Sequence, residues 1–123
     1  MGPAVLIIDD VAATRTGLAQ LLRLKGYDAI EAANGADGLR LLQAHPHVRV
    51  VVLDLNMPGT SGYWFRTEQR RVPAIADIPV IAFTGGELPD ESLGFRERLR
   101  KPISVGELLR VLEECCIDAS GRM

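Results

Sequence analysis

The strongest constraint on this chain is a repeated alternation: short apolar runs, each followed by a segment with helical apolar spacing. Ala4–Ile8, Val50–Leu53 and Ile78–Phe83 show no polar alternation, which suits strands covered on both faces. A weaker run at Ala29–Ala32 and a short piece around Leu99 read as two more strands. Between them, Leu18, Leu21 and Leu22 share one helix face, as do Leu39 and Leu42. Val105, Leu108, Leu109, Leu112 and one of Cys115 or Cys116 continue the pattern in a last helix, which Ser104 and Glu107 open as a capping box. Gly26, Asn34-Gly35, Pro58-Gly59, Gly85-Gly86 and Lys101-Pro102 punctuate the boundaries. Strand and helix alternating in this way predict an α/β fold, with a parallel sheet, helices on both faces and right-handed crossovers.

A chain of 123 residues makes one domain, 1–123, with an ordered core over about 4–118 and a frayed end at Ala119–Met123. A formal net charge of -2 argues against direct nucleic-acid binding through overall positive charge. The apolar run at Val50–Leu53 is far shorter than the roughly 20 residues a membrane helix needs. Met1-Gly2-Pro3 leads straight into strand-like sequence, so we expect a cytoplasmic protein with no signal peptide and no membrane contact. Cys115 and Cys116 are adjacent, pointing about 100° apart on a helix, which makes a poor disulfide and suits a reducing compartment. His45 and His47 flank Pro46 without a third metal partner in sequence and read as a solvated loop.

In open parallel sheets the ligand site lies outside the carboxyl ends of the strands, where strand order reverses. The first strand ends in Asp9-Asp10, the third in Asp54, the fourth in Thr84 and the fifth in Lys101. Asp9 and Asp10 could by themselves cap the first helix, and Thr84 and Lys101 could be ordinary strand-end residues. Together they form something more specific. An isolated acid at the tip of a buried strand costs several kcal/mol of lost hydration, and gathered acids repel each other unless a divalent cation or a lysine offsets them. Mg2+ fits such oxygen ligands. Asp54 is then the candidate nucleophile toward a phosphoryl group, with Lys101 and the Thr84 hydroxyl on the remaining equatorial oxygens, and the product is an acyl phosphate.

The ordered set VLIIDD, VVLDLNMPGTSG, IPVIAFTGG and LRKPIS resembles the response-regulator receiver domains of two-component signalling over essentially the whole chain. The resemblance implies a flavodoxin-like, doubly wound sheet of five parallel strands in order 2-1-3-4-5. It implies that Asp54 is the phosphoacceptor, Asp10 the main metal-binding acid, Asp9 a ligand through water, and the Asn56 backbone carbonyl the completion of the metal shell. Thr84 matches the switch hydroxyl and Lys101 its lysine partner, with a cis peptide at Lys101-Pro102. By the same resemblance the chain is a phosphorylation-activated switch that takes its phosphoryl group from a histidine kinase or phosphotransfer protein with Mg2+. No turnover of external substrate is expected. The readout face would be the fourth helix, fifth strand and fifth helix, and a second copy of the chain, in a phosphorylation-dependent homodimer, would be a further partner. The chain would be a stand-alone regulator, or a receiver excised from a hybrid kinase or larger regulator.

Two departures stand out. Arg98 occupies the position where the family commonly carries Tyr or Phe; we expect it at the surface, in a basic strip with Arg96 and Arg100. Asn56 and Gly86 fall where phosphate lifetime is often tuned, and Gly86 leaves the phosphoryl group open to water. Trp64, opening the third helix with Tyr63 and Phe65, is placed to report magnesium by fluorescence. Of the competing readings, a haloacid-dehalogenase-type phosphatase is faintly suggested by Asp54-Leu55-Asn56 with Thr60, but it needs an acid at Asn56. A non-phosphorylated interaction module has no use for so costly a polar cluster, and a flavin carrier lacks a phosphate-cradling loop after the first strand.

Overall fold

The computed structural model describes residues 2–57, 61–89 and 91–120, the last four by backbone only. Five parallel strands form one sheet: β1 (Ala4–Ile8), β2 (Asp28–Ala32), β3 (Val50–Asp54), β4 (Val80–Thr84) and β5 (Glu97–Arg100), in the order β2-β1-β3-β4-β5. Four α-helices connect or follow them: α1 (Ala12–Leu24), α2 (Gly35–Ala44), α3 (Gly62–Arg70) and α4 (Val105–Ser120). None of the described helices is long and apolar enough to cross a membrane.

The central strands are buried at every residue, and their pleat divides the core in two. Leu6, Ile8, Val51, Leu53, Val80 and Ala82 face one side, where Leu42 of α2 and Phe65 of α3 meet them. Val5, Ile7, Val50, Val52, Ile81 and Phe83 face the other, against Leu22 of α1 and Leu108 and Leu112 of α4. Each fully buried Val, Leu, Ile or Phe side chain contributes about 1.5–3 kcal/mol of transfer free energy, so the apolar runs specify the sheet and both of its covers.

Local chemistry sets the boundaries. Asn34 caps α2 by accepting the Asp37 amide at 2.8 Å, Ser61 caps α3 through the Trp64 amide at 3.2 Å, and Ser104 accepts the Glu107 amide at 3.3 Å. β4 starts later than the apolar run suggests. The Ile78 amide closes a turn onto the Ile75 carbonyl, and Pro79 has no amide to give, so regular pairing begins at Val80. Val105, expected on the packed face of the last helix, is 44% exposed at its first turn.

One expectation needs correction. The resemblance implies a helix between β4 and β5, but the described residues there hold only a 3-10 turn, Glu91–Leu93. Gly85, Gly86, Pro89 and Gly94 interrupt that stretch too often for a helix to run. The helix after β5 is therefore the fourth.

Candidate functional site

Pairing register brings the strand ends level: Ile8 opposite Leu53, Asp54 opposite Phe83, and Thr84 opposite Arg100. Because β1 lies beside β3, chain direction around the sheet reverses between them, and the acids that end both strands meet in that crevice. Carboxylate oxygens of Asp9, Asp10 and Asp54 lie within 4.8 Å of one another. Asp9 and Asp54 are 2% and 1% exposed, whereas Asp10 is open to solvent.

Each buried acid has partners. Asp9 Oδ1 accepts the Val11 amide at 2.9 Å, and Arg15 holds the Asp9 carbonyl at 2.9 Å. Asp54 Oδ1 accepts the Asn56 amide at 2.9 Å and lies 3.1 Å from Lys101 Nζ. Lys101 is fixed in turn: its amide donates to the Thr84 carbonyl at 2.8 Å, and its ammonium stands 5.3 Å from the Phe83 ring centre. The Lys101-Pro102 peptide is cis, as expected. Burial, followed by the charge and hydrogen bond of Asp54, raises the Asp9 carboxyl above the usual carboxylate range, against the pull of the Val11 amide. Three carboxylates with one ammonium are an oxygen-rich, electron-rich donor set that suits a hard divalent cation.

Thr84 stands where the sequence puts it, but its hydroxyl is not on Asp54. It donates to Asn56 Oδ1 at 2.8 Å, and the same oxygen accepts the Gly85 amide at 2.7 Å. The Gly86 amide closes onto Thr84 Oγ1 at 3.0 Å. This use of the Asn56 side chain was not legible in the sequence. Pro58, Gly59 and Thr60, which carry part of the motif after Asp54, lie outside the described residues.

Arg98 is not a free surface residue. Its Nη1 donates to the Pro89 carbonyl at 2.6 Å, and the exposed Arg100 donates to the Gly86 carbonyl at 2.8 Å. From α3, Arg70 reaches the Ser92 carbonyl at 3.0 Å, while Arg66 reaches Leu93 and Gly94 at 2.8 and 3.0 Å. A connection without a helix leaves its carbonyls without intrahelical donors, and guanidinium groups supply them. Arg66 is buried, braced by Gln69 Oε1 at 2.7 Å and lying 5.9 Å from the Phe95 ring centre. Nothing in the sequence marks Arg66 as an inward-facing residue, since arginine on a helix ordinarily reads as solvent-facing. Arg96 pairs with Glu114 at 3.8 Å, so the expected basic strip is tied to its own protein.

Beside the acids, a groove of about 490 Å³ runs between α1 and the segment leading into α4. Val11, Leu18, Leu21, Ile103 and Val105 line it together with Asp9 and Lys101.

An acidic crevice at the reversal point of a 2-1-3-4-5 sheet, answered by one lysine from the last strand, defines the phosphoacceptor class of signalling switch. The comparisons agree. The model of the response regulator receiver domain matches residues 5–113, and the chain belongs to that family. A probable transcriptional regulator, ycf27 of Porphyridium aerugineum, is 37% identical over 109 residues, covering 85% of this chain and 44% of that protein. The chain thus spans less than half the length of that relative. The chemotaxis protein CheY4 of Vibrio cholerae superposes with a TM-score of 0.85 at 26% identity, covering 94% of this chain and 99% of that one. The receiver domain of sensor histidine kinase PA1611 from Pseudomonas aeruginosa, solved with magnesium coordinated in its active-site cleft, gives 0.83 at 25% identity, covering 93% and 97%.

Proposed function

We propose that Asp54 accepts a phosphoryl group from a phosphohistidine of a histidine kinase or phosphotransfer protein, and that the resulting acyl phosphate is the signal. The observation that best supports this is Lys101 Nζ at 3.1 Å from Asp54 Oδ1, inside the acidic crevice. In the transfer, an Asp54 oxygen bonds to phosphorus as the phosphorus–nitrogen bond breaks, and the electron pair leaves with the imidazole, which then takes up a proton. Lys101 answers the charge that develops on a phosphoryl oxygen. The carboxylates of Asp10 and Asp54 and the Asn56 backbone carbonyl would hold Mg2+, with Asp9 acting through water. Bound there, the ion would neutralise phosphoryl oxygens and relieve the repulsion among the acids.

The apolar groove lined in part by Lys101 gives a donor protein a surface beside the acceptor. The downstream partner reads the face made by the β4–β5 connection, β5 and α4, which replaces the face that includes an extra helix. The phosphatase alternative lacks its second acid, because the carboxamide of Asn56 stands there and is engaged with Thr84.

Acetyl phosphate with Mg2+ provides the test. Intact-mass measurement should show the wild type gaining one phosphoryl group and Asp54→Asn gaining none. An unlabelled wild type, or an equally labelled variant, would overturn the assignment. With a generic phosphate ester we expect no continuing release of phosphate.

A further inference from the structure

Resting on that reading of Asp54, the Asn56 side chain acquires a role that its backbone does not have. Asn56 is exposed, yet its carboxamide oxygen holds the buried Thr84 hydroxyl at 2.8 Å and the Gly85 amide at 2.7 Å. Its own amide meanwhile donates to Asp54 Oδ1 at 2.9 Å. One residue therefore touches the acceptor acid through its backbone and the end of β4 through its side chain. A hydroxyl has a single proton to donate, and while Thr84 gives it to Asn56 none is left for an oxygen on Asp54.

A phosphoryl group on Asp54 would bring about two negative charges, and hydrogen bonds to a charged acceptor are roughly twice as strong as those to a neutral amide oxygen. We propose that Asn56 Oδ1 is a placeholder acceptor, a positioning residue that keeps the Thr84 hydroxyl and Gly85 amide in reserve and surrenders them to the phosphoryl oxygens. The opposition it sets up is thermodynamic: modification of Asp54 must break both bonds before it gains its own. The displacement has a defined route outward. The Gly86 carbonyl is held by Arg100, and the Pro89 carbonyl by Arg98, so movement of Gly85 and Gly86 bears directly on β5.

Asn56→Leu keeps the branched shape and removes the acceptor; Asn56→Ala serves as a second variant should leucine pack badly, and Asn56→Asp retains an acceptor oxygen. In the unmodified protein, amide exchange at Gly85 should quicken about tenfold in the Leu and Ala variants, the scale of one lost hydrogen bond. Beryllium trifluoride with Mg2+, used as the phosphoryl mimic, should bind these two variants about three- to tenfold more tightly than wild type, and Asp no more tightly than wild type. Unchanged or weaker binding in both Leu and Ala, with wild type still binding the mimic, would overturn the latch alone. A wild type that neither binds the mimic nor takes a phosphoryl group would instead overturn the acceptor reading on which the latch rests.

Discussion

Lys101 Nζ stands 3.1 Å from the oxygen of Asp54 that also accepts the Asn56 amide, while the lysine side chain keeps 36% of its surface and the aspartate only 2%. The buried partner is thus neutralised by a half-open one. Such a pair balances the buried charge with a cation that still reaches solvent.

Removing the cation should expose that balance. Lys101→Met leaves Asp54 and Asp9 buried without their ammonium, and because the lysine is partly solvated we expect a modest loss, about 1–2 kcal/mol in metal-free protein. Denaturant midpoints measured without divalent ions check this, and labelling by acetyl phosphate should be slowed in the same variant.

Asp9 carries the opposite sign. Burial raises its carboxyl above the unfolded reference of 3.8, so between those two values the native state binds more protons than the unfolded chain. Its contribution to stability is therefore present at low pH and lost as pH rises through the raised value. Asp9→Asn keeps an oxygen for the Val11 amide and removes the charge. Metal-free Asp9→Asn should be more stable than wild type by about 1–2 kcal/mol at neutral pH, with the gap closing on acidification. Thermal melts across the acidic range would show it; a gap that widens toward low pH would contradict it.

Arg66 holds the β4–β5 connection to α3 through the Leu93 and Gly94 carbonyls. Arg66→Met preserves much of the apolar stem but leaves those acceptors without their donor. The expected cost is about 2–4 kcal/mol, with faster protease cleavage within residues 85–96. Chemical denaturation and mapping of the first cleavage sites provide the check.

Gly62 lets α3 start against the acid-bearing strand. A Cβ there would come within 2.9 Å of the Asp54 carbonyl and 2.7 Å of Leu55 Cδ2. Gly62→Ala should therefore destabilise by about 1–3 kcal/mol through overpacking, despite alanine's better helix propensity. At Gly17, where a Cβ meets nothing within 4 Å, the same change should be neutral or stabilising.

Much of this was legible in the primary structure for a simple reason. Ala4–Ile8 and Val50–Asp54 are apolar up to their final residues, so their placement, their two-sided burial and the acids at their tips follow from the order of residues alone. The alternation of strands and helices then carries Asp9, Asp10, Asp54, Thr84 and Lys101 to one edge. The β4–β5 connection was less legible, because the family resemblance implied a helix where Gly85, Gly86, Pro89 and Gly94 break one.

Arg98 shows the limit. Its sequence neighbours give it the alternation of a solvated edge strand, yet in space it meets the Pro89 carbonyl, which needs a donor. Arg66 and Gln69 read as a polar helix face and are buried. Asn56 reads as a loop residue and anchors β4. Hydrophobic periodicity reports burial of whole elements, so the sequence by itself determined the strands, their covers and the acids that end them. Which donor meets which acceptor across elements depends on distances that arise only when the sheet closes, so the Asn56–Thr84 hydrogen bond and the arginine contacts to the β4–β5 connection were decided by the tertiary structure alone.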